Sequence, residues 1–398
     1  MSADSFEQFA EAVSAADSTR AAVAGAPFFE RITILGGGSD ALMLAAIFLA
    51  ENVQVKLFSA YGEELDALHA GAGIAVRGAG PVGGYQVNQD GVPSIKTTAE
   101  IDNAVCDADV IFLTGPVHKQ RTYAMVLADH IRDGQVLVLA PSRSLGAAEA
   151  AWALRVGGAK ADFTIVEIQA LPYWHARQGN QFHLSAAKPA AAATLPSNRL
   201  DVLEELKKLL PNIVPVVSTV HSGFCDGSGL IEVPVLVMGG PAVTSAQGPL
   251  PDEAEPLPEN HTFRALIGPE HLNVMRQLAN ERTNVARKFG VRELPGLEGW
   301  LDIHAGAMKG DGARPVPSSG EAKAMLRCAT VGSLVPLASA AKVAGVPVPS
   351  TNAAIALASA ILGADLSTAG RRLETVGIDS EHIEDARRVL DAIANGSR

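Results

Sequence analysis

The 398-residue chain is poor in cysteine, aromatic residues and charge, and each shortage excludes a class of protein. The three cysteines, Cys106, Cys225 and Cys328, form no CxxC pair. This spacing excludes a disulfide scaffold and a zinc knuckle and is typical of a reduced cytoplasmic chain, so we expect no metal site. Aromatic residues make up 5% of the sequence, which argues against a stacking pocket and favours a small polar ligand. The 47% hydrophobic content excludes a disordered chain.

Positive charge is also in short supply. Lysine and arginine together number 32 against 43 acidic residues, for a net charge of -11. This balance repels polyphosphate and anionic membrane surfaces, so we expect neither nucleic acid nor a membrane as a partner. No window holds 18 uninterrupted apolar residues, and the chain begins with acidic side chains rather than an apolar run (Asp4, Glu7, Glu11 and Asp17). The sequence therefore favours a soluble, cytoplasmic protein.

The pattern of apolar residues predicts an N-terminal helical extension (1–30) and two domains (31–220 and 221–398). In the first domain short apolar strands alternate with helical stretches, at 32–35, 53–58, 109–114, 136–140 and 163–168. This alternation is typical of a doubly wound parallel sheet of the Rossmann type. We expect an inserted hairpin at 71–93. Two further strands are expected to extend the sheet, at 183–187 and 214–217, with a helix at 198–210 between them. Beyond an acidic, proline-rich loop at 249–260 the pattern is helical, so the second domain is predicted to be all-α.

A GxGxxA motif stands between the first strand and the first helix. Its residues are Gly36-Gly37-Gly38-Ser39-Asp40-Ala41. The first glycine permits a tight turn, the second lets the backbone approach a pyrophosphate, and the small Ala41 lets the helix pack closely on the strand. We predict a dinucleotide-binding turn here; a glycine-rich turn that binds nothing is the alternative.

The end of the second strand leaves the choice between NAD and NADP open. An acid at this point would hold the ribose 2′-hydroxyl, but the strand ends at Ser59, which suits either a hydroxyl or a 2′-phosphate. The missing acid favours NADP, and the lack of an adjacent arginine opposes it.

Two further strand ends are expected to face the reacting end of the cofactor. The fourth strand ends in Thr114-Gly115-Pro116 and the fifth is followed by Arg143. Ligands bind at the carboxyl ends of parallel strands, so His118 and Arg143 are candidate substrate-binding residues. The alternative for His118 is a role as the cap of the following helix.

Several phrases in combination resemble the octopine/opine dehydrogenase family. They are VEIQALPY (166–173) with Lys188, NER (280–282), ARKFGV (286–291), LVPL (334–337), AGVPVP (344–349) and GRRLETVG (370–377). The resemblance covers about residues 32–378. It implies a Rossmann domain followed by a helical domain, with NAD or NADP as cofactor in the cleft between them. Members of the family typically reduce the imine formed between a 2-oxo acid and an amino group.

The family's catalytic histidine and its partner acid are not matched. The resemblance places Glu232 where that histidine would stand, and no acid follows Arg327 before Val335. Glu232 is therefore a candidate for proton transfer if the cleft is dry, with an ion pair at a helix end as the alternative. His221 is a second candidate, with a junction histidine bonded to backbone as the alternative. His304 and Lys309 are weaker candidates, because glycine-rich loops expose such residues in any case.

The resemblance also assigns Arg327 to the substrate carboxylate, a contact that suits the guanidinium fork. A surface salt bridge is the alternative. Arg143 and Arg177 are possible second anchors. The leading hypothesis is an NAD(P)-dependent oxidoreductase that reduces an imine. A dehydrogenase of a hydroxy acid or alcohol, and a protein that binds NAD(P) without turnover, are the alternatives. A small carboxylate-bearing substrate is the expected partner, and the apolar helices at 334–362 could form a homodimer face.

Overall fold

The computed structural model describes residues 29–239 and 262–394. Nearly all of the predicted N-terminal extension, and the acidic loop at 249–260, lie outside these residues. The described strands form two sheets, and the helices are divided between the two halves of the chain. The strands are β1 (Arg31–Leu35), β2 (Gln54–Phe58), β3 (Gly73–Gly78), β4 (Gly83–Gln86), β5 (Lys96–Thr98), β6 (Val110–Leu113), β7 (Val136–Leu139), β8 (Thr164–Ile168), β9 (Tyr173–Gln178), β10 (Gln181–Ala186), β11 (Ala190–Leu195) and β12 (Ile213–Pro215).

The main sheet has the order β12-β11-β8-β7-β6-β1-β2-β5. From β8 to β5 the neighbouring strands are parallel, β11 is antiparallel to β8, and β12 is parallel to β11. Every residue of β6, β7 and β8 is buried, as expected for central strands covered by helices on both faces. The predicted doubly wound sheet is confirmed. Its strand order reverses beside β1, which opens a crevice at the carboxyl ends of β1 and β6.

The second sheet has the order β4-β3-β10-β9. Its β3–β4 pair is the predicted hairpin within 71–93. The prediction that 183–187 extends the main sheet is wrong, because β10 pairs with β9 and with β3. Phe182 and Leu184 of β10 lie in the hydrophobic cluster that holds the first helix, and β11 takes the expected place in the main sheet.

The helices of the first half are α1 (Ser39–Ala50), α2 (Glu63–Ala70), α3 (Ile101–Val105), α4 (Val117–Leu127), α5 (Gly146–Val156) and α6 (Leu200–Leu209). Helix α1 is buried all round, with every residue from Ala41 to Leu49 covered. It packs against β1 and β2 of the main sheet and against β9 of the second sheet. The N-terminus of α1 therefore meets both sheets at one point.

After β12 the described elements are helical, as predicted for the second domain; the domain bounds 31–220 and 221–398 stay a prediction. The helices are α7 (Thr219–Cys225), α8 (Ser228–Met238), α9 (Pro269–Lys288), α10 (Leu297–His304), α11 (Ser319–Ala329), α12 (Val335–Ala344), α13 (Pro349–Leu362), α14 (Leu366–Ala369) and α15 (Ile383–Ala394). Helix α8 lies in contact with α9, α10, α11 and α13. A π-helical turn, Thr330–Leu334, joins α11 to α12.

The continuous helical segment Ser319–Ala344 is long and apolar enough to cross a membrane by composition alone. However, 67% of its apolar window is buried inside the molecule. Its hydrophobicity therefore serves largely to fill the core.

Candidate active site

The GxGxxA motif folds as a tight turn between β1 and α1, in which two of the glycines have different tasks. Gly36 has φ +133°, and a Cβ there would lie 2.4 Å from Thr114 Oγ1, so the fold itself requires glycine. Gly38 is the N-cap of α1 with extended backbone, and a Cβ there would have no atom within 4 Å. Open space at a helix N-terminus is what a pyrophosphate needs. The turn therefore fits a dinucleotide.

Glu64, near the start of α2, contacts this turn. Its Oε2 accepts hydrogen bonds from Gly37 N (2.9 Å) and from Ser59 Oγ (2.6 Å), and its Oε1 pairs with Lys119. Burial alone would raise the pKa of Glu64, but the bonds from Lys119, Ser59 and Gly37 outweigh it, and the pKa lies below its ordinary value. A carboxylate therefore lies beside the end of β2, although the strand itself is followed by a serine.

A cleft of about 640 Å³ runs from the start of α1 to α8 and α11. Asp40, Gly115 and Pro116 line it on the Rossmann side, and Glu232, Cys328 and Arg314 line it on the helical side. Tyr173 and Trp174 of β9 also line it, so the low aromatic content does not keep aromatic rings out of the site. The cleft brings the predicted residues Arg143 and Glu232 together.

Glu232 and Arg143 are the central charged groups of the cleft. Glu232 is 2% exposed; its Oε1 accepts a hydrogen bond from Arg314 at 2.9 Å, and its Oε2 is buried without a hydrogen-bond partner among the described residues. Arg143 Nη2 lies 3.9 Å from Glu232 Oε2 and Arg143 Nη1 lies 4.0 Å from Asp226 Oδ1. Both distances exceed hydrogen-bond length. The Arg143 guanidinium thus makes no hydrogen bond to the described part of the chain.

The backbone of Arg143 is held in an unusual conformation. Its φ is +61°, in the left-handed region that only a few non-glycine residues adopt. The next residue, Ser144, fixes this shape, because its N–H donates to Gly332 O at 2.9 Å and lies 3.1 Å from Asp226 Oδ2. The π-helical turn of the second half therefore aims an arginine of the first half into the cleft.

Asp226 and His304 are buried ionisable residues that interact electrostatically with Arg143. Burial alone would raise the pKa of Asp226, but Arg143 and Arg282 outweigh it and the pKa lies below the ordinary value. Burial lowers the pKa of His304 to about 4, so the imidazole is neutral at pH 7. Its Nε2 accepts a hydrogen bond from Gly227 N at 3.1 Å, which leaves the proton on Nδ1. His304, a weak candidate from sequence, lines the cleft.

The second sheet contributes polar groups to the N-terminus of α1. His175 Nε2 lies 3.1 Å from Asp40 Oδ1, and Arg177 Nη1 lies 3.3 Å from Ser39 Oγ. Arg177, predicted as a possible substrate anchor, therefore lies beside the first turn of α1. The contact between Arg177 and α1 was not predicted from the sequence, because β9 was not predicted as a strand.

Four candidate catalytic or substrate-binding residues do not line the cleft, and one of them, Lys309, is exposed in the loop after α10. His118 lies on the exposed side of α4, where partial burial and the positive charges of Lys119 and Arg327 lower its pKa. Arg327 is exposed on α11. His221 binds Glu293 O through Nε2 at 2.7 Å, which is the backbone-bonded alternative. The remaining predicted nucleotide residues lie in or beside the turn: Gly36, Gly37, Gly38, Ser39, Ala41, Ser59 and Thr114. No cluster able to hold a metal ion is present in residues 29–239 and 262–394.

The comparisons with known proteins agree with this architecture. No family model matches the chain. A curated opine dehydrogenase from Arthrobacter sp. (strain 1C) is 24% identical over 359 residues, which are 87% of this chain and 94% of the relative. A solved octopine dehydrogenase with NADH and pyruvate is 18% identical with a TM-score of 0.62, over 92% of this chain and 98% of that one.

Two further solved structures extend the likeness. A yersinopine dehydrogenase with NADP+ bound is 12% identical with a TM-score of 0.59, over 92% of this chain and 99% of that one. A D-mandelate dehydrogenase with NADH is 11% identical with a TM-score of 0.58, over 84% and 99%. The predicted fold class and the predicted resemblance to opine dehydrogenases are thus confirmed.

Proposed function

We propose that this chain is an NAD(P)-dependent oxidoreductase that reduces the imine formed between a 2-oxo acid and an amino compound, giving a secondary amine carboxylate. The fold and the similarity to an opine dehydrogenase support the reaction class. The observation that carries the proposal is the pair of unsatisfied groups in the cleft. Glu232 Oε2 and the Arg143 guanidinium lie 3.9 Å apart, and neither has a hydrogen-bond partner in the described chain.

The two groups match the two ends of a substituted 2-amino acid. A guanidinium fork suits a carboxylate, and a buried acceptor oxygen requires an N–H or O–H donor. A substrate that offered both would satisfy Arg143 through its carboxylate and Glu232 Oε2 through its nitrogen. The carbon to be reduced lies between those two substituents. Arg314 holds Glu232 Oε1, so only Oε2 is left to move a proton.

The residues present fit NAD or NADP. The Gly36–Ala41 turn would hold the pyrophosphate, and Ser59 and Glu64 would face the ribose. Gly115 and Pro116, which follow Thr114, line the cleft. When bound, the nicotinamide supplies the hydride. The protein contributes orientation, exclusion of water and the acid-base group, and all three depend on the cleft residues described above.

The test is to mix the purified chain with NADH or NADPH and a panel of 2-oxo acids, each with and without amino compounds, and to follow loss of the reduced nicotinamide. We expect turnover that requires both a 2-oxo acid and an amine. The secondary amine product is then identified by mass spectrometry. Nucleotide binding without oxidation by any pair would favour the non-catalytic alternative and contradict the proposal.

A dehydrogenase of a 2-hydroxy acid is the second candidate, because the fold also matches a D-mandelate dehydrogenase. A hydroxy acid would offer the same carboxylate to Arg143 and a hydroxyl to Glu232 Oε2. If a 2-oxo acid in the same panel oxidises the reduced cofactor equally fast with and without an amine, the result selects this candidate.

We also propose that the protein is cytoplasmic and forms a homodimer. The three cysteines are unpaired, which supports a reducing compartment. Leu357 and Ile361 are exposed one turn apart on α13, which supports a dimer face there. Light scattering of the wild type and of Leu357→Glu tests the second point, because a dimer on this face should become a monomer in the variant.

A further inference from the structure

The carboxylate of Glu64 lies beside the end of β2, the region in which nucleotide-binding sheets distinguish NAD from NADP. In such sheets an acid at the end of the second strand binds the ribose 2′-hydroxyl. Here β2 ends at Phe58 and is followed by Ser59, and the acid comes instead from the first turn of α2. Glu64 Oε2 lies 2.6 Å from Ser59 Oγ and 2.9 Å from Gly37 N. These two bonds fix the carboxylate against the turn that fits the pyrophosphate.

Two lysines near this position, Lys119 and Lys56, are already paired with carboxylates. Lys119 pairs with Glu64 Oε1, and its Nζ lies 4.0 Å from the centre of the Tyr61 ring. Lys56, inside β2, pairs with Asp107 at 2.7 Å and donates to Asn103 O at 2.9 Å. A 2′-phosphate entering here would therefore meet a fixed carboxylate, and the nearest lysine is neutralised by that carboxylate. A ribose diol would find an acceptor for its hydroxyls.

We infer that this chain selects NADH over NADPH through Glu64, which replaces the missing acid at the end of β2. The inference rests on the proposed function, in that it assumes a nicotinamide dinucleotide on the GxGxxA turn. Lys119 acts through Glu64 as a positioning residue. If the carboxylate is removed, the same lysine becomes a free cation able to pair with a 2′-phosphate.

The experiment measures the dissociation constants of NADH and of NADPH, without substrate, by titration calorimetry. The proteins are the wild type, Glu64→Gln, Glu64→Gln with Lys119→Met, and the control Glu63→Gln, which changes an exposed carboxylate one residue away on the same helix. Thermal unfolding of each variant verifies that the turn remains folded. Because the readout is binding, it does not depend on finding the substrate.

We expect the wild type and Glu63→Gln to bind NADH at least about tenfold more tightly than NADPH. Glu64→Gln should lower that ratio by about tenfold or more, chiefly through tighter binding of NADPH. The double variant should lose the gain for NADPH, because Lys119 supplies it.

Two outcomes overturn the inference and leave the proposed function standing: a wild type that binds NADPH as tightly as NADH, or a Glu64→Gln variant that folds with an unchanged ratio. Failure of the wild type to bind either nucleotide overturns the proposed function, and the inference with it.

Discussion

The two oxygens of the Glu232 carboxylate have separate tasks. Oε1 receives the Arg314 hydrogen bond at 2.9 Å and fixes the plane of the group. Oε2 is buried and has no hydrogen-bond partner among the described residues, which is costly for a carboxylate unless a ligand completes the site. The Arg314 guanidinium is in turn held over the Phe263 ring at 4.5 Å. A rigid carboxylate with one free oxygen is suited to proton transfer at a single point.

Replacing Glu232 with Gln should lower turnover by about a hundredfold or more, because the amide cannot carry the proton. NADH binding should be unchanged, since Glu232 lies on the helical side of the cleft. The matched control is Glu298→Gln, which alters another arginine-paired carboxylate that is 80% exposed. Steady-state kinetics and calorimetry provide the two measurements. A variant with nearly normal turnover would exclude Glu232 as the proton carrier.

Glu167 is a second buried carboxyl, at the end of β8. Burial raises its pKa from 4.5 to about 7. The unfolded state releases the proton at lower pH than the folded state, so this group lowers the free energy of unfolding as the pH rises from about 4.5 to about 7. Above that interval the loss is complete, and it persists at pH 8.

Glu167→Gln removes this titration, so the variant should gain stability over the wild type as the pH rises. The expected gain is about 3 kcal/mol at pH 8 and close to zero at pH 4.5. Urea unfolding at both pH values measures it, with the exposed Glu204→Gln as the control. Comparing each variant with the wild type at the same pH cancels the opposite contribution of His304. An equal effect of the Glu167 substitution at both pH values would refute this titration.

At the scale of the elements, the turn before α1 contains two glycines with different roles: the fold requires Gly36, whereas we expect only the ligand to require Gly38. Gly38→Val should reduce the affinity for NADH by at least about tenfold and leave thermal stability unchanged, because the backbone (φ -74°, ψ 179°) accepts a β-branched residue and the surrounding space is empty. Gly296→Val is the matched control. Gly296 is also an N-cap, with φ -70° and ψ 175°, and it too has no atom within 4 Å of a Cβ. Unaltered NADH affinity in Gly38→Val would remove the turn from the binding site.

The elements that were predictable from sequence are those with local signals. The buried parallel strands and the GxGxxA turn are encoded by apolar runs and by glycines at fixed spacing. The β3–β4 hairpin of the second sheet was predicted, but its pairing with β10 was not, because β3 lies about a hundred residues earlier in the chain. Strand β9 forms a local antiparallel hairpin with β10 that was not predicted, so the contacts of His175 and Arg177 with α1 were also missed.

The same limit applies to the site. Glu232 could be placed by the resemblance, and Arg143 by its position after a strand. Arg314 is 82 residues from Glu232, and only the folded helical half brings them together. His221 was a plausible proton carrier from its position at the domain junction, but its ring is used to hold the backbone of Glu293. Charge type and spacing cannot reveal which polar groups are already satisfied.

At the scale of the whole molecule, one side chain from near the end of the chain helps to join its two halves. Arg371, in the GRRLETVG phrase, is fully buried. It donates to Glu149 Oε2 at 2.6 Å, to Ser142 O at 2.5 Å and to Gln120 Oε1 at 2.9 Å. All three partners belong to the Rossmann half, and Gln120 lines the cleft. One of the phrases that carry the resemblance therefore supplies the arginine that holds Gln120 at the wall of the cleft.

Arg371→Met should lower the free energy of unfolding by about 3–5 kcal/mol, because it leaves the buried Glu149 carboxylate with Arg121 as its one remaining ion-pair partner in the described part of the chain. Adding Glu149→Gln should recover part of this loss, since the unpaired charge is then gone. Arg388→Met, which breaks an exposed pair with Asp385, should change stability by less than about 1 kcal/mol. Urea unfolding of the four proteins measures these differences. If Arg371→Met were no more destabilising than Arg388→Met, or if the double variant recovered nothing, the junction would not depend on this ion pair.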